Sequence, residues 1–373
     1  MIFLYLLLCA VLIPIALYFR FLIKKSAAFF GLDVNNPRIR LAIWVTAILV
    51  TLPGLNLNGY GTVGIIYFLI FSWILQIPNL LIKNIGRNIK SKVIRAWNFI
   101  HAIQIIPLVL TVIILIVGYA NIHNVIKTEY TVYTDKPISD GGYRIALVAD
   151  VHYGISLDYD ALVEKCNEIS EHDPDILVLC GDIVDDHATM KEMQEVFFAL
   201  STVKTKYGIY YVYGNHDRQL YSNSPAYTEK ELENVITDCG IKILRDEVDY
   251  INDDFVIVGR EDRGYNRAER AEISDILSQI DPETFVLTLD HQPNEYVENS
   301  DAGTDLILSG HTHAGQLWPL NYFMDIIKFN DANYGLYTYG DMSAIVTSGF
   351  AGWGFKVKTA APSEYVIIDI LNK

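Results

Sequence analysis

The chain has 373 residues, 51% of them hydrophobic, and a formal net charge of −15, which is enough length for two structural units. The charge is unevenly placed: up to residue 125 there are ten Lys and Arg against the single acid Asp33, and the remainder carries 19 against 43 acids. An acidic second part excludes nucleic acid as the main partner, because a phosphate backbone is held mainly through Lys and Arg.

Four apolar stretches occupy the basic part, at 2–23, 41–57, 63–82 and 99–120. A helix needs about 20 apolar residues to cross the hydrocarbon core, so residues 1–125 read as a block of about four transmembrane helices in which 41–57 is the marginal member. A cleaved signal peptide is the competing reading of 2–23; it lacks a basic n-region and a small-residue cleavage site. Arg20, Lys24, Lys25, Arg38 and Arg40 fall between the first and second stretches, and Lys83, Arg87, Lys90, Lys92 and Arg95 between the third and fourth. No charge falls between the second and third. Positive charge stays inside, so both basic loops are expected in the cytoplasm, and the amino terminus and everything after residue 120 outside it. This parity depends on 41–57, with Pro53 inside it, spanning in full.

The four cysteines are Cys9, Cys166, Cys180 and Cys239; they form no C-x-x-C pair and specify no redox compartment. Cys9 and Cys180 lie in apolar runs and read as small core residues. A polar linker, 126–142, leads into a domain expected to fill 143–373. Its apolar runs at 143–149, 176–180, 209–213, 255–259, 285–289 and 306–308 read as strands, and helices are expected near 159–170, 191–202, 228–239 and 268–280. Two further runs, 344–347 and 365–370, read as closing strands. A continuous run such as 176–180 suits a strand covered on both faces. Alternating strands and helices predict an α/β sheet protein with its ligands beyond the carboxyl ends of the strands.

Those ends carry the chemistry. Asp150-Val151-His152 follows the first strand, Gly181-Asp182-Ile183-Val184-Asp185 the second and Gly214-Asn215-His216-Asp217 the third. Asp290-His291 and Gly310-His311-Thr312-His313-Ala314-Gly315-Gln316 follow two later ones. His311 and His313, two residues apart on a glycine-bounded turn, point the same way. Asp150, His152, Asp182, Asn215, His291, His311 and His313 thus gather on one rim. Carboxylates, imidazoles and an amide oxygen suit Mn, Fe or Zn better than a thiolate-seeking metal. Seven donors exceed one tetrahedral ion. Two ions about 3.5–4 Å apart need a shared carboxylate, and together clamp the attacking and leaving oxygens of a phosphoryl group.

In this order the motifs resemble the calcineurin-like metallophosphoesterase superfamily, and 310–316 together with Ala361-Pro362-Ser363-Glu364 is similar to its membrane-associated bacterial branch. The likeness covers roughly residues 143–370. It implies a four-layer α-β-β-α sandwich and two divalent metal ions (Mn, Fe or Zn). It further implies that Asp150, His152 and His313 hold one ion, Asn215, His291 and His311 the other, and that Asp182 bridges. His216 would face the scissile phosphate with Asp217 orienting its ring. Ala314 stands where this branch commonly has a second glycine. A metal-activated water is then the nucleophile, and His216 protonates the departing oxygen or steadies the transition state.

Three features have competing readings. Asp185 reads as a supporting or helix-capping carboxylate rather than a ligand. Arg260 and Arg263 are either solvated or a clamp on substrate phosphate. The apolar, aromatic-rich stretch 317–329 is either packed on the domain's own core or rests at the level of the lipid headgroups, since Trp and Tyr favour that interface. The expected function is a membrane-anchored, dinuclear-metal phosphoesterase with an extracytoplasmic catalytic domain. Its substrate would be a phosphate ester or pyrophosphate, with a phospholipid or lipid-linked phosphate as the sharper form. The alternative is a non-catalytic metal-bound scaffold or receptor, which would be expected to have lost His216 or Asp182; both are present. A transporter would be expected to bury acids in its helices, and these helices lack them.

Overall fold

The computed structural model describes residues 2–85, 92–139, 141–264 and 270–373, without the side chains of 2–9, 83 and 85. Arg87, Lys90, the Lys83 and Cys9 side chains and the start of the helix expected at 268–280 therefore lie outside the described residues. The chain divides into two compact units, 1–117 with 354–356, and 118–353 with 357–373.

The first unit is helical: α1 (Ile2–Phe29), α2 (Pro37–Thr51), a 3-10 turn (Leu52–Leu55), α3 (Tyr60–Ile85), α4 (Lys92–Ala102) and the greater part of α5 (Ile105–His123). Pro37 starts α2, where a missing N–H costs nothing, and the Asn36 side chain caps it. Among the described residues three helices are long and apolar enough to cross a membrane, Pro37–Leu55, Tyr60–Ile82 and Ile105–His123. The expected stretch 99–120 is not one helix. It breaks between α4 and α5, where Gln104 takes a left-handed φ of 54°. Arg20, Lys24 and Lys25 also prove to be on α1 itself rather than in a loop, with Arg20 lying 4.5 Å over the Trp44 ring.

Among the described residues the second unit carries twelve strands in two six-stranded sheets. The first sheet has the order β1-β12-β2-β3-β4-β5, with β1 (Ile126–Thr134), β2 (Tyr143–Val148), β3 (Ile176–Cys180), β4 (Ile209–Val212), β5 (Ile241–Ile243) and β12 (Glu364–Asn372). The second has the order β10-β11-β9-β8-β7-β6, with β6 (Glu247–Asn252), β7 (Phe255–Gly259), β8 (Phe285–Leu289), β9 (Leu306–Ser309), β10 (Gly335–Tyr339) and β11 (Met342–Val346). The sheets close on each other through Ile145, Leu147, Val178, Ile257, Leu287, Leu308 and Val366, all fully buried. Removing one such side chain to Ala typically costs about 2–5 kcal/mol.

Helices cover both outer faces. α6 (Tyr159–Ser170), α7 (Met190–Leu200) and α8 (Glu229–Asp238) pack on the first sheet through Leu162, Phe197 and Leu232. α9 (Ile273–Leu277) and α10 (Tyr296–Ala302) pack on the second through Ile273 and Tyr296. α11 (Leu320–Ile327) follows the His311–His313 turn. Capping boxes at Thr189/Glu192 and Thr228/Glu231 explain where α7 and α8 begin. The result is the four-layer α-β-β-α sandwich.

The linker reading of 126–142 is overturned at its first half. Residues 126–134 form a nine-residue edge strand, parallel to β12 from Ile126↔Glu364 to Thr134↔Asn372. Val132 and Thr134 turn inward while Lys127, Glu129 and Tyr133 stay exposed, so half the strand is polar and reads as linker.

Candidate metal centre

Within the first sheet β2, β3 and β4 run parallel, as do β7, β8 and β9 in the second. Their carboxyl ends place Asp150, Asp182, Asn215, His291, His311 and His313 on one rim. Two groups result: Asp150, His152 and His313, and Asp182, His291 and His311, each with ligand atoms within 4.8 Å of one another. The Asp182 Oδ2 stands 3.1 Å from His291 Nε2 and 3.8 Å from His152 Nε2, between the groups. His313 Nε2 lies 3.6 Å from Asp150 Oδ1.

The backbone is bent to achieve this. Asp150, His152, Asp182, His311 and His313 all have positive φ, from 39° to 70°, a region costing an L-residue about 1–2 kcal/mol in which Asp and His are among the enriched types. Such strain persists only where surrounding bonds over-determine it. Both carboxylate oxygens of Asp150 accept from His311 N, at 3.1 and 2.9 Å, and Asp182 Oδ1 accepts from His216 N at 2.8 Å. A Cβ on Gly214 would lie 2.2 Å from Asp182 Oδ1, so only glycine fits there. Ala314, the departure from the branch pattern, is buried with φ 53° and touches none of these donors directly in a bond.

Two of the imidazoles are oriented through their other nitrogen. His291 Nδ1 meets Cys180 O at 2.8 Å and His313 Nδ1 meets Ala351 O at 3.3 Å, leaving Nε2 for the site. His152 Nδ1 is 3.3 Å from Asp185 Oδ2, which makes Asp185 a support for a ring, as read from the sequence.

Electrostatics match a cation site. Burial alone would raise Asp182, yet the adjacent His291 holds its carboxyl well below the usual range. Burial would lower His291, and Asp182 overrides it, so the ring holds its proton well above the ordinary value. Burial, then His291, pushes His311 down to about 3, and burial, then His152, holds His313 well below its usual range. Among the described residues His152 Nε2, His291 Nε2 and Asn215 Oδ1 are buried without a hydrogen-bond partner. Buried carboxylates beside unpaired ring nitrogens and an amide oxygen are a donor set that fits divalent cations.

Asp217 does not orient His216. Its two oxygens accept from the backbone N–H of Asp182, Ile183, Val184 and Gly214, at 2.7–3.1 Å, and so lock the two turns together. The ring of His216 instead meets Asp186 through Nδ1. Burial opposes its protonation, but that carboxylate raises His216 to about 9. The only sequence signal for Asp186 was the doublet Asp185-Asp186.

Arg260 is buried, and Arg263, about a third exposed, is held in an ion pair. Arg260 is 2% exposed and donates to Ala271 O at 2.8 Å; Arg263 pairs with Glu295. A residue not singled out from the sequence is Lys358, wholly buried. Its Nζ donates to Ser348 O, to Ser348 Oγ at 3.2 Å, to Gly349 O at 3.0 Å and to Ala351 O at 3.3 Å. Ala351 O is also the acceptor facing His313.

Residues 143–315 match the calcineurin-like phosphoesterase family. Over 323 residues the chain is 27% identical to an uncharacterized metallophosphoesterase of Campylobacter jejuni, covering 84% of this chain and 80% of that one. It is 25% identical over 327 residues to a zebrafish (Danio rerio) transmembrane protein with metallophosphoesterase domain, covering 83% and 72%. A dimetal phosphatase from Danio rerio is similar in structure with a TM-score of 0.37 at 14% identity, covering 56% of this chain and 87% of that chain. A sandwich with two facing carboxylate–imidazole groups on one rim is that of a metal-dependent phosphoester hydrolase. The part of the chain that begins at residue 143 resembles the calcineurin-like phosphoesterase family.

Proposed function

We propose that the chain is a membrane-anchored phosphoesterase working with two divalent cations, Mn, Fe or Zn. Residues 1–125 serve as the anchor and 143–373 as the catalytic domain, on the extracytoplasmic side. Asp150, His152 and His313 would hold one cation, and Asn215, His291 and His311 the other. Asp182 would be the shared ligand. The observation that carries this reading is the position of Asp182 Oδ2 between His291 Nε2 and His152 Nε2, at 3.1 and 3.8 Å.

When bound, the cations supply an activated water and offset negative charge on a phosphoryl group. The chain's own residues do the rest. His216, kept protonated by Asp186, donates from Nε2 to the departing oxygen of the ester. Asp217 holds the turns bearing Asp182 and His216 in fixed register. The substrate class is a phosphate ester or pyrophosphate, and the sharper form is a phosphate linked to lipid, since the second unit begins at Gly118, inside a helix apolar enough to span.

The test is hydrolysis by the purified full-length protein with Mn²⁺, across a chromogenic monoester, a diester, a nucleoside diphosphate and a lipid phosphate. Turnover that disappears with chelator and returns with metal is expected, highest on the lipid phosphate. No turnover on any of the four overturns the enzymatic reading, and preference for the soluble esters overturns the lipid-linked one.

A further inference from the structure

The helix α11, which follows the His311–His313 turn and the buried Leu317, is not buried among the described residues. α11 has no buried residue, and Leu320, Tyr322, Phe323, Ile326, Ile327 and Phe329 are 49–75% exposed. Asn321, Asp325 and Lys328 are the polar residues within 320–329. An eight-residue helix is marginal in water alone, and contiguous apolar exposure of this kind marks a contact surface.

What lies beside it identifies the occupant. The base of α11 is tied down by Trp318 N donating to Thr359 Oγ1 at 2.9 Å, and by Thr359 N donating to Gln316 O at 2.8 Å. The same segment meets the last turn of α5: Lys358 N donates to Gly118 O at 3.0 Å, and Asn121 Nδ2 to Lys358 O at 2.9 Å. A Cβ on Gly118 would lie 2.6 Å from Thr359 Cγ2, so the approach needs glycine. One threonine therefore separates the root of α11 from the end of the Ile105–His123 span. Tyr119, 52% exposed and stacked on His123, adds an aromatic ring of the kind that collects at a bilayer interface.

We propose that α11 is an interfacial helix whose apolar face lies in the lipid surface where α5 leaves the bilayer, so that the rim bearing His311 and His313 is held against the membrane. The proposal rests on the membrane-anchored reading above. The occupant is the bilayer itself: the span ends beside the helix without an intervening linker, and amphipathic helices with one apolar face bind at this level. A soluble phosphoester reaches the metal groups without this contact, whereas a lipid phosphate arrives along it.

The experiment uses the full chain in phosphatidylcholine–phosphatidylglycerol vesicles, with Cys9 and Cys239 replaced by Ala and Ile326→Cys carrying an environment-sensitive fluorophore. Blue-shifted emission, quenched by brominated acyl chains and shielded from aqueous iodide, is expected. Adding Phe323→Asp and Ile327→Asp should abolish the lipid quenching while metal content and turnover of a soluble ester stay unchanged. A probe open to iodide and untouched by brominated lipid, in protein that resists carbonate extraction, overturns the inference and leaves the anchored reading standing. Protein released by carbonate overturns the anchored reading instead. Shielding that depends on protein-to-lipid ratio rather than on lipid assigns the face to a second copy of the chain, and also overturns it.

Discussion

The imidazole of His216 meets the carboxylate of Asp186 through Nδ1, while Asp217, the next residue in sequence, turns away to bind four backbone N–H groups. The two carboxylates therefore do different work, and their variants should separate. Asp186→Asn should lower kcat at least tenfold on a substrate with a poor leaving group, with bound metal and Tm near wild type. Asp217→Asn leaves buried donors short of an acceptor, a cost of about 1–3 kcal/mol, read as a fall in Tm. The assignment fails if Asp186→Asn turns over normally.

His216 is proposed to touch substrate without holding metal. His216→Ala should keep wild-type metal stoichiometry by elemental analysis while kcat falls about 10²- to 10⁴-fold, the range for a positioned general acid. The loss should shrink with a good leaving group that departs without a proton. An equal loss on both would remove His216 from that role.

On the proposed assignment Asp182 serves both groups and Asp150 only one. Asp182→Ala removes the proposed shared carboxylate and should lose most bound metal and all turnover. Asp150→Ala belongs to one group and should chiefly empty that one. Two ions per chain remaining in Asp182→Ala would refute the shared-ligand assignment.

Lys358 gathers the carbonyls of Ser348, Gly349 and Ala351, and Ala351 O sets the orientation of His313. Glu364 holds the same loop from the other side, accepting from Thr347 Oγ1 at 3.0 Å and Ser348 N at 2.9 Å. Lys358→Met should lower stability by about 1–3 kcal/mol and weaken one metal ion more than the other in a titration, since outer hydrogen-bond partners commonly change metal affinity about 10- to 100-fold. Equal weakening of both ions would mean that the lysine only supports the fold.

Much of this protein was written locally in the chain. Residues 176–180, 255–259 and 285–289 are strands at the bounds read from their apolar runs, because a strand buried on both faces needs an uninterrupted apolar sequence. The donors after those runs were legible for the same reason: a parallel strand delivers whatever follows it to one rim. Tertiary structure decided what depends on partners distant in sequence. Residues 126–134 pair with a strand more than two hundred residues away, and their half-polar pattern carries no sign of it. The break at Gln104 divides a stretch whose apolar composition is continuous. Whether 317–329 is core or surface was undecided by composition, since an apolar face looks alike against protein or lipid; only the exposure of α11 among the described residues separated them. Asp186 and Asp217 are equally close to His216 in kind and chemistry, and it is the fold of two turns, brought together by adjacent strands, that gives one of them the ring and the other the backbone.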